Sequence, residues 1–194
     1  MLETISNYIV SKIEKDDVIV PDMREAYTYG MQTIVINFFG INLCLLIGLI
    51  MSELITTFFF LISFIITRRF TGGYHSHTFS QCMLKTSCIL CIILLLCKQI
   101  LLPFYVCVII LFICTLVFLI CVPVENNNKK LSNKLKQRCK KVSVFILIIQ
   151  GIIGLILKGH GIDLYNIIFY SILVVSLLIL FAVYRQRLTI KSQV

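Results

Sequence analysis

Residues 104–122, FYVCVIILFICTLVFLICV, form an apolar run that contains no charged residue. A helix that crosses the hydrocarbon core of a bilayer needs about 20 predominantly apolar residues, within a range of roughly 17–25. The run is long enough to span the hydrocarbon core without any of the flanking residues. It therefore predicts a transmembrane helix and sets the class of fold for the whole chain.

The composition of the chain agrees with that class. Of the 194 residues, 59% are hydrophobic and only 14% are charged, whereas soluble domains carry roughly 25% charged residues. A soluble domain of this length could not bury so much apolar surface. We therefore interpret the chain as an integral membrane protein, for which the bilayer is the solvent of the apolar side chains.

Five further apolar segments are separated by polar stretches. Two of them, residues 54–67 and 142–157, are short for a full span, and each could be a tilted partial span, a re-entrant piece or a helix covered by its neighbours. The other three segments lie at about residues 31–51, 87–102 and 164–184. Together with residues 104–122, these segments predict an all-α fold, a polytopic integral membrane protein with about four to six transmembrane helices.

The positions of the basic residues indicate the orientation. If all six segments cross the membrane and the N-terminus lies inside, sixteen of the eighteen lysines and arginines fall inside, and only Lys98 and Lys158 fall outside. Cytoplasmic loops carry an excess of basic residues, so both termini and the basic loop at residues 129–141 are predicted to face the cytoplasm. The net charge of +9 is then mainly a topology signal. No nucleic-acid partner is predicted, because the basic loop lacks interleaved aromatic residues.

The first thirty residues differ from the rest of the chain. They contain six acidic residues and no continuous apolar run of the kind found in a secretory signal peptide. Leu2, Ile5, Ile9 and Ile13 follow helical spacing, which predicts an amphipathic helix on the membrane surface or packed against the rest of the protein. We divide the chain into an N-terminal cytoplasmic or interfacial segment, residues 1–30, and a transmembrane domain, residues 31–194.

Most of the nine cysteines lie inside apolar segments, where cysteine behaves as a small hydrophobic residue. Cys107, Cys114 and Cys121 recur every seven residues and share one face of a helix. Seven residues of helix rise about 10.5 Å, and a disulfide requires Cα atoms less than about 7 Å apart. No disulfide framework is predicted.

One polar stretch breaks the apolar pattern, residues 68–82, RRFTGGYHSHTFSQC. The arginines mark a cytoplasmic border, and Gly72 and Gly73 permit a turn that most residues could not make. A nucleophilic cysteine needs a base and a setting that favours the thiolate. His75 could be the base, and the start of the next helix near Cys82 could supply a positive dipole end. In one continuous helix these two residues would stand about 10.5 Å apart, so catalysis requires His75 to fold back on the glycine loop.

The residues alone leave three interpretations of this stretch. His75, His77 and Cys82 could bind a metal, since H-x-H is a known ligand spacing, although no convincing fourth ligand lies nearby. The histidines could also be solvated residues of an interfacial loop without catalytic function. The third interpretation is cysteine–histidine catalysis.

The same stretch closely resembles the active-site segment of the accessory gene regulator B (AgrB) family of Gram-positive bacteria. In that family an arginine-rich border and a glycine pair precede a histidine, and a cysteine follows the histidine seven residues later; His75 and Cys82 match both positions. His77 falls where the family has no fixed residue. A weaker resemblance is Pro-Val-Glu-Asn at residues 123–126 followed by the lysine-rich loop. Further matches to the family pattern are Arg69, Gly72 and Gly73.

The resemblance implies a cysteine endopeptidase in the bacterial cell membrane, with its active site near the cytoplasmic face. Such an enzyme cleaves the C-terminal tail from an AgrD-like propeptide and promotes cyclisation to a thiolactone or lactone quorum-sensing peptide. Cys82 would carry the acyl-thioester, and His75 would transfer the proton. The resemblance implies no metal and no other cofactor. A homodimer is compatible with the sequence.

The resemblance also suggests how the propeptide is held. The basic loop has a topological explanation, in which its lysines keep it inside and touch anionic membrane lipid. It can also bind an acidic propeptide tail. Glu125 is the only carboxylate in the central cytoplasmic loops, but the sequence does not place it beside His75. The candidate substrate-binding residues are Arg69, Gly72, Gly73, Glu125, Lys129, Lys130, Lys134 and Lys136.

Two other classes of function compete with a peptidase. A small transporter or peptide exporter predicts ionisable residues inside the spans, and the sequence has few: Glu53 at a segment junction, with Lys98 and Lys158 near outer ends. A non-catalytic membrane scaffold is the other alternative. Neither class needs the thiol of Cys82, so substitution of this residue separates them from a peptidase.

Overall fold

The computed structural model describes residues 10–12, 24–71, 79–124 and 132–191. Within these ranges the chain is helical apart from short turns, which confirms the all-α prediction. Residues 10–12 form a helical turn, and all four residues of the N-terminal amphipathic stripe lie outside the described residues. The six long helices are α1 (Arg24–Ile50), α2 (Leu54–Thr71), α3 (Phe79–Gln99), α4 (Phe104–Cys121), α5 (Asn133–Gly159) and α6 (Tyr165–Lys191).

Five helices in the described part of the chain are long and apolar enough to cross a membrane. This number lies within the four to six that the apolar segments predict. The two short segments belong to longer helices, since α2 has 18 residues and α5 has 27. Both helices continue past the apolar residues: α2 includes Arg68 and Arg69, and α5 begins where the Ser132 hydroxyl accepts a hydrogen bond from the backbone N–H of Leu135. Apolar length therefore underestimates helix length at the polar ends.

The helices connect alternately at two ends of the bundle. At one end, the turns after α1 and α5 are closed by the same pattern of two backbone hydrogen bonds. After α1, the N–H of Glu53 donates to Gly48 O and the N–H of Ser52 donates to Leu49 O. The equivalent two bonds surround Gly161 after α5. Gly161 has φ +71° and Ser52 has φ 58°, the left-handed conformation that terminates a helix in this motif. We call this end the turn end.

The connections at the turn end are hydrogen-bonded to one another. The Asn166 side chain donates to Ile100 O at 2.7 Å and accepts from Leu102 N at 3.2 Å, which joins α6 to the α3–α4 connection. Lys98 donates to Met51 O at 2.8 Å and lies 3.6 Å from the Glu53 carboxylate. The α1–α2 turn and the start of α6 therefore both lie beside the α3–α4 connection.

The other end, the basic end, contains the last turn of α2, the first turn of α3, residues 121–124 and the first turns of α5. The two ends are joined by a bundle in which α6 occupies the centre, packed against α2, α3, α4 and α5. In the apolar window of α6, 56% of the residues are buried, compared with 11% in that of α1. The helix α1 packs only along α2 and α3 among the described helices, so most of its surface faces the membrane.

The packing of α5 against α6 requires a glycine. A Cβ atom at Gly154 would lie 2.8 Å from the ring of Phe169, which is fully buried. Real side chains do not approach so closely, and small residues are what allow helices in a membrane to pack at short range. Gly154 therefore sets the distance between the two helices.

A polar contact inside the bundle joins α2, α5 and α6. The Gln150 amide of α5 donates to Ser63 O at 3.2 Å and accepts from the Thr67 hydroxyl at 3.1 Å. The Ser63 hydroxyl is in turn hydrogen-bonded to that of Ser171 on α6. In a bilayer no water is available to replace these partners. We call these four residues the polar seam.

The polar seam should contribute measurably to stability. We expect Gln150→Leu to lower the free energy of unfolding in detergent micelles by about 1 kcal/mol, because hydrogen bonds between transmembrane helices contribute about 0.6–1.7 kcal/mol. Thr115→Val is the matched control, since the Thr115 hydroxyl bonds only to Leu111 O within α4. Equal destabilisation by the two substitutions would show that the seam adds nothing specific.

The orientation of the two ends can be measured in intact cells. Because basic residues are retained inside, a cysteine introduced at the exposed Asn133 should react with a membrane-impermeant maleimide only after permeabilisation. A cysteine at the exposed Asp163, at the turn end, should react without it. The unsubstituted chain gives the background from the native thiols. Labelling at Asn133 in intact cells would reverse the predicted topology.

Candidate active site

The candidate site begins where α2 ends. Thr71, the last residue of α2, is fully buried, and its carbonyl accepts a hydrogen bond of 3.0 Å from the backbone N–H of Val124. Val124 follows α4 and the cis peptide bond between Val122 and Pro123. The described residues that immediately precede the two predicted site stretches, Thr71 and Val124, are thus in direct backbone contact at the basic end.

The predicted catalytic residues lie on either side of the start of α3, His75 before the helix in the sequence and Cys82 within it. Cys82 is the fourth residue of α3, so its backbone belongs to the first turn of that helix. His75 lies outside the described residues, as do Gly72 and Gly73, so the distance between the catalytic side chains stays a prediction. The structure does place the two flanking helix ends, at Thr71 and Phe79.

The arginines that precede the glycine pair occupy the last turn of α2. Arg69 is exposed, with its backbone two residues before Thr71. Arg68 is half-buried, and its guanidinium lies 5.9 Å from the centre of the Phe64 ring, within the range of a cation–π interaction. The exposed Arg69 is therefore the arginine better placed to meet an anionic substrate group.

The lysine-rich segment is described from residue 132 onward. Lys134 is exposed and Lys136 half-buried in the first turn of α5. Glu125, Lys129 and Lys130 lie outside the described residues. The structure therefore brings Arg69, Lys134 and Lys136 to one end of the bundle, while the contacts between these residues and the catalytic pair stay a prediction.

The cysteines with described side chains provide a comparison for Cys82. All eight are free thiols. Most lie along the apolar helices, and Cys44, Cys107 and Cys114 are buried there. Cys139 differs, because it is half-buried on α5 between basic residues at the basic end. With Cys82 and Cys121 it is one of three cysteines at this end, and its basic neighbours make it the natural control for any test of Cys82.

Sequence reasoning missed the polar seam, which supports the end of α2. Ser63, Thr67 and Thr71 are spaced four residues apart, and the last of them directly precedes Gly72. Residues four apart lie on one face of a helix. The contacts of Gln150 with Ser63 and Thr67 therefore fix the position of Thr71 along the bundle axis. The signals in the sequence were this four-residue spacing and an amide within the apolar segment 142–157.

The ionisable residues that a transporter would use lie at the turn end. Lys98 pairs with Glu53, and the Lys158 ammonium lies 4.0 Å from the centre of the Tyr165 ring. In the part of the chain that the structure describes, no group of three or more His, Cys, Asp or Glu residues could hold a metal ion. These charged side chains contact residues at the ends of neighbouring helices and so stabilise the connections between them.

Comparison with known proteins identifies the family. The family model described as Accessory gene regulator B matches residues 2–181. A protein of Clostridium perfringens (strain 13 / Type A) named AgrB-like protein 2 is 30% identical over 157 residues, which cover 77% of this chain and 73% of the relative. No solved structure matches the chain.

The family match spans the candidate site and nearly the whole helical bundle, including four of the five helices that are long and apolar enough to cross a membrane and most of the fifth. The relative covers most of the same length. The chain is therefore a multi-pass membrane protein that belongs to the accessory gene regulator B family.

Proposed function

We propose that this protein is a membrane-embedded cysteine endopeptidase that cleaves the C-terminal tail of an AgrD-like propeptide and promotes cyclisation of the remaining peptide. The observation that carries the proposal is the family membership, together with the position of Cys82 in the first turn of α3. The substrate class comes from the resemblance of residues 68–82 to the family's active-site segment. The reaction belongs to the accessory gene regulator system.

The start of α3 suits a nucleophilic cysteine. The first four backbone N–H groups of a helix have no partner within the helix, and the aligned peptide dipoles place partial positive charge there. This setting favours a thiolate over a thiol. The same N–H groups can donate to the oxyanion that forms when the scissile carbonyl is attacked.

The proposed reaction has two steps. His75 takes the proton of Cys82, the thiolate attacks the scissile carbonyl, and the C–N bond breaks while His75 returns the proton to the leaving amine. The peptide is then held as a thioester on Cys82. A cysteine or serine within the peptide attacks this thioester, forms the ring and releases the Cys82 thiol. When the attacking group is a thiol, one thioester replaces another. The two thioesters have similar free energies of hydrolysis, so ring closure is nearly isoenergetic.

Basic residues at the same end are proposed to bind the propeptide's acidic tail. Arg69 and Lys134 are exposed there, and Lys136 is half-buried. Lys129, Lys130 and Glu125 are proposed to belong to the same surface, and Gly72 and Gly73 to shape the turn that carries His75. With sixteen of eighteen basic residues assigned to one side, we place this surface and the active site at the cytoplasmic face of the bacterial cell membrane.

Substitution of the catalytic pair tests the proposal. We expect Cys82→Ala to abolish propeptide cleavage, and His75→Ala to lower its rate by about 10²–10⁴-fold, the usual contribution of general acid–base catalysis. The measurement is cleavage of an AgrD-like propeptide by the purified full-length chain in liposomes. The controls are Cys139→Ala and His77→Ala, which should retain most of the activity. Cleavage at a normal rate by Cys82→Ala would refute the assignment of the nucleophile.

A trapped intermediate tests the cyclisation step. If the propeptide's internal cysteine or serine is replaced by alanine, the first cleavage should occur and ring closure should not, because water attacks a thioester slowly unless a site activates it. An enzyme adduct with the mass of the propeptide minus its tail should then accumulate. Hydroxylamine at neutral pH should release it, and peptide mapping by mass spectrometry should locate it on Cys82.

The cysteine on α5 supplies the control for this mapping. The Cys139→Ala variant should form the same adduct in the same amount. Cleavage without any adduct would favour direct hydrolysis, and an adduct on Cys139 would overturn the proposed site.

A further inference from the structure

A groove lies between α4 and α5 on the outside of the bundle. Its volume is about 460 Å³, within the range of roughly 300–1,000 Å³ that is usual for small-molecule sites. One residue of α4, Leu119, forms one wall. The other wall is a stripe along α5 with the spacing of a single helix face: Gln137, Lys140, Lys141, Val144, Phe145 and Ile148.

The stripe changes from polar to apolar along α5. Gln137, Lys140 and Lys141 lie toward the basic end, and the residues from Val144 to Ile148 extend into the apolar part of the helix. From the first to the last residue of the stripe the helix rises about 16 Å. The surface of the groove is almost entirely apolar, so Gln137, Lys140 and Lys141 line it with the apolar stems of their side chains rather than with their polar groups. A ligand that fills the groove must therefore be largely apolar, with an anionic part that can meet the lysine ammonium groups at the edge of the groove.

No acidic residue balances these lysines locally. Residues 126–141 contain seven basic residues and no Asp or Glu, and α5 has no acidic residue in its first turn. Within the described residues, no ion pair involves the ammonium of Lys140 or Lys141. The side chains are exposed or half-buried, so both ammonium groups are accessible to an anion from outside the chain.

The apolar part of the groove faces the membrane. Phe145 is 64% exposed, Leu119 42% and Ile148 41%, and all three belong to helices that are long and apolar enough to cross a bilayer. At this depth the surroundings of such side chains are lipid acyl chains. Basic pockets between transmembrane helices on the cytoplasmic side are suited to anionic lipid headgroups.

We propose that this groove is a binding site for an anionic phospholipid. The phosphate lies at Lys140 and Lys141, the Gln137 amide donates to a headgroup oxygen, and one acyl chain lies against Leu119, Phe145 and Ile148. None of the residues that line the groove belongs to α2 or α3, and the lipid takes no part in the proposed peptidase chemistry.

Lipid titration of the purified full-length chain tests the site. Native mass spectrometry in detergent should show that phosphatidylglycerol binds at least tenfold more tightly than phosphatidylcholine with the same acyl chains. Lys140→Gln/Lys141→Gln should lower the affinity for phosphatidylglycerol by about 10- to 30-fold, given the usual contribution of each basic residue near a membrane surface. The affinity for phosphatidylcholine should stay unchanged.

The control variant is Lys134→Gln/Arg187→Gln. It removes the same charge from exposed positions of α5 and α6 that do not line the groove, and its affinity for phosphatidylglycerol should fall less than threefold. An equal loss in both double variants would overturn the proposal in favour of diffuse attraction between the basic surface and anionic lipid.

Two measurements on the unsubstituted protein do not depend on how the variants fold. Phosphatidylglycerol with a photoreactive acyl chain should crosslink to Leu119, Phe145 or Ile148, and crosslinks confined to other helices would refute the site. Glycerol 3-phosphate at millimolar concentration should not displace the lipid; displacement would indicate a simple anion site. Displacement by an AgrD-like propeptide would assign the groove to the peptide instead and overturn the proposal.

Discussion

The Gln150 side chain is a primary amide inside an apolar bundle, and a bilayer offers it no water to bond with. It must therefore find its partners in the protein, and it finds them in the Ser63 carbonyl and the Thr67 hydroxyl of α2. This requirement fixes how far α2 can slide along α5. The contact between Ser63 and Ser171 extends the same constraint to α6. The position of Thr71 along the bundle axis depends on these bonds. Thr71 is the residue from which the connection with the predicted base His75 begins.

The two ends of the bundle use polar groups differently. At the turn end, Lys98, Glu53 and Asn166 form contacts between the connections. These polar groups therefore stabilise the packing of the connections against one another. At the basic end, Arg69, Lys134 and Lys141 are exposed, and a backbone hydrogen bond joins Val124 to Thr71 at the end of α2. A soluble anionic ligand would therefore find its binding groups at the basic end.

The sequence predicted the helices because each one contains an apolar run, and a bilayer selects for such runs directly. It predicted the ends less well. The helix α5 extends nine residues before the segment 142–157, since lysines and arginines are good helix formers that carry no apolar signal. The contacts of the polar seam could not be read from the sequence, because Ser63 and Gln150 are 87 residues apart. The four-residue spacing of Ser63, Thr67 and Thr71 indicates one helix face but not which helix that face meets. The predicted catalytic pair is local and was recognised by its motif, whereas the contacts that hold the end of α2 are not local.

The proposed cyclisation imposes a requirement that the position of Cys82 can meet. An acyl-thioester yields a ring only if the peptide's own thiol or hydroxyl reaches it before water does. Cys82 lies in the first turn of α3, and the helix becomes strongly apolar from Cys88 onward, so the thioester would form about two turns from the hydrocarbon region. A position further along α3 would exclude water, but it would also remove the unpaired N–H groups of the first turn and the histidine on the preceding connection. The first turn is therefore the part of α3 where the thiol of Cys82 can be activated by the helix end.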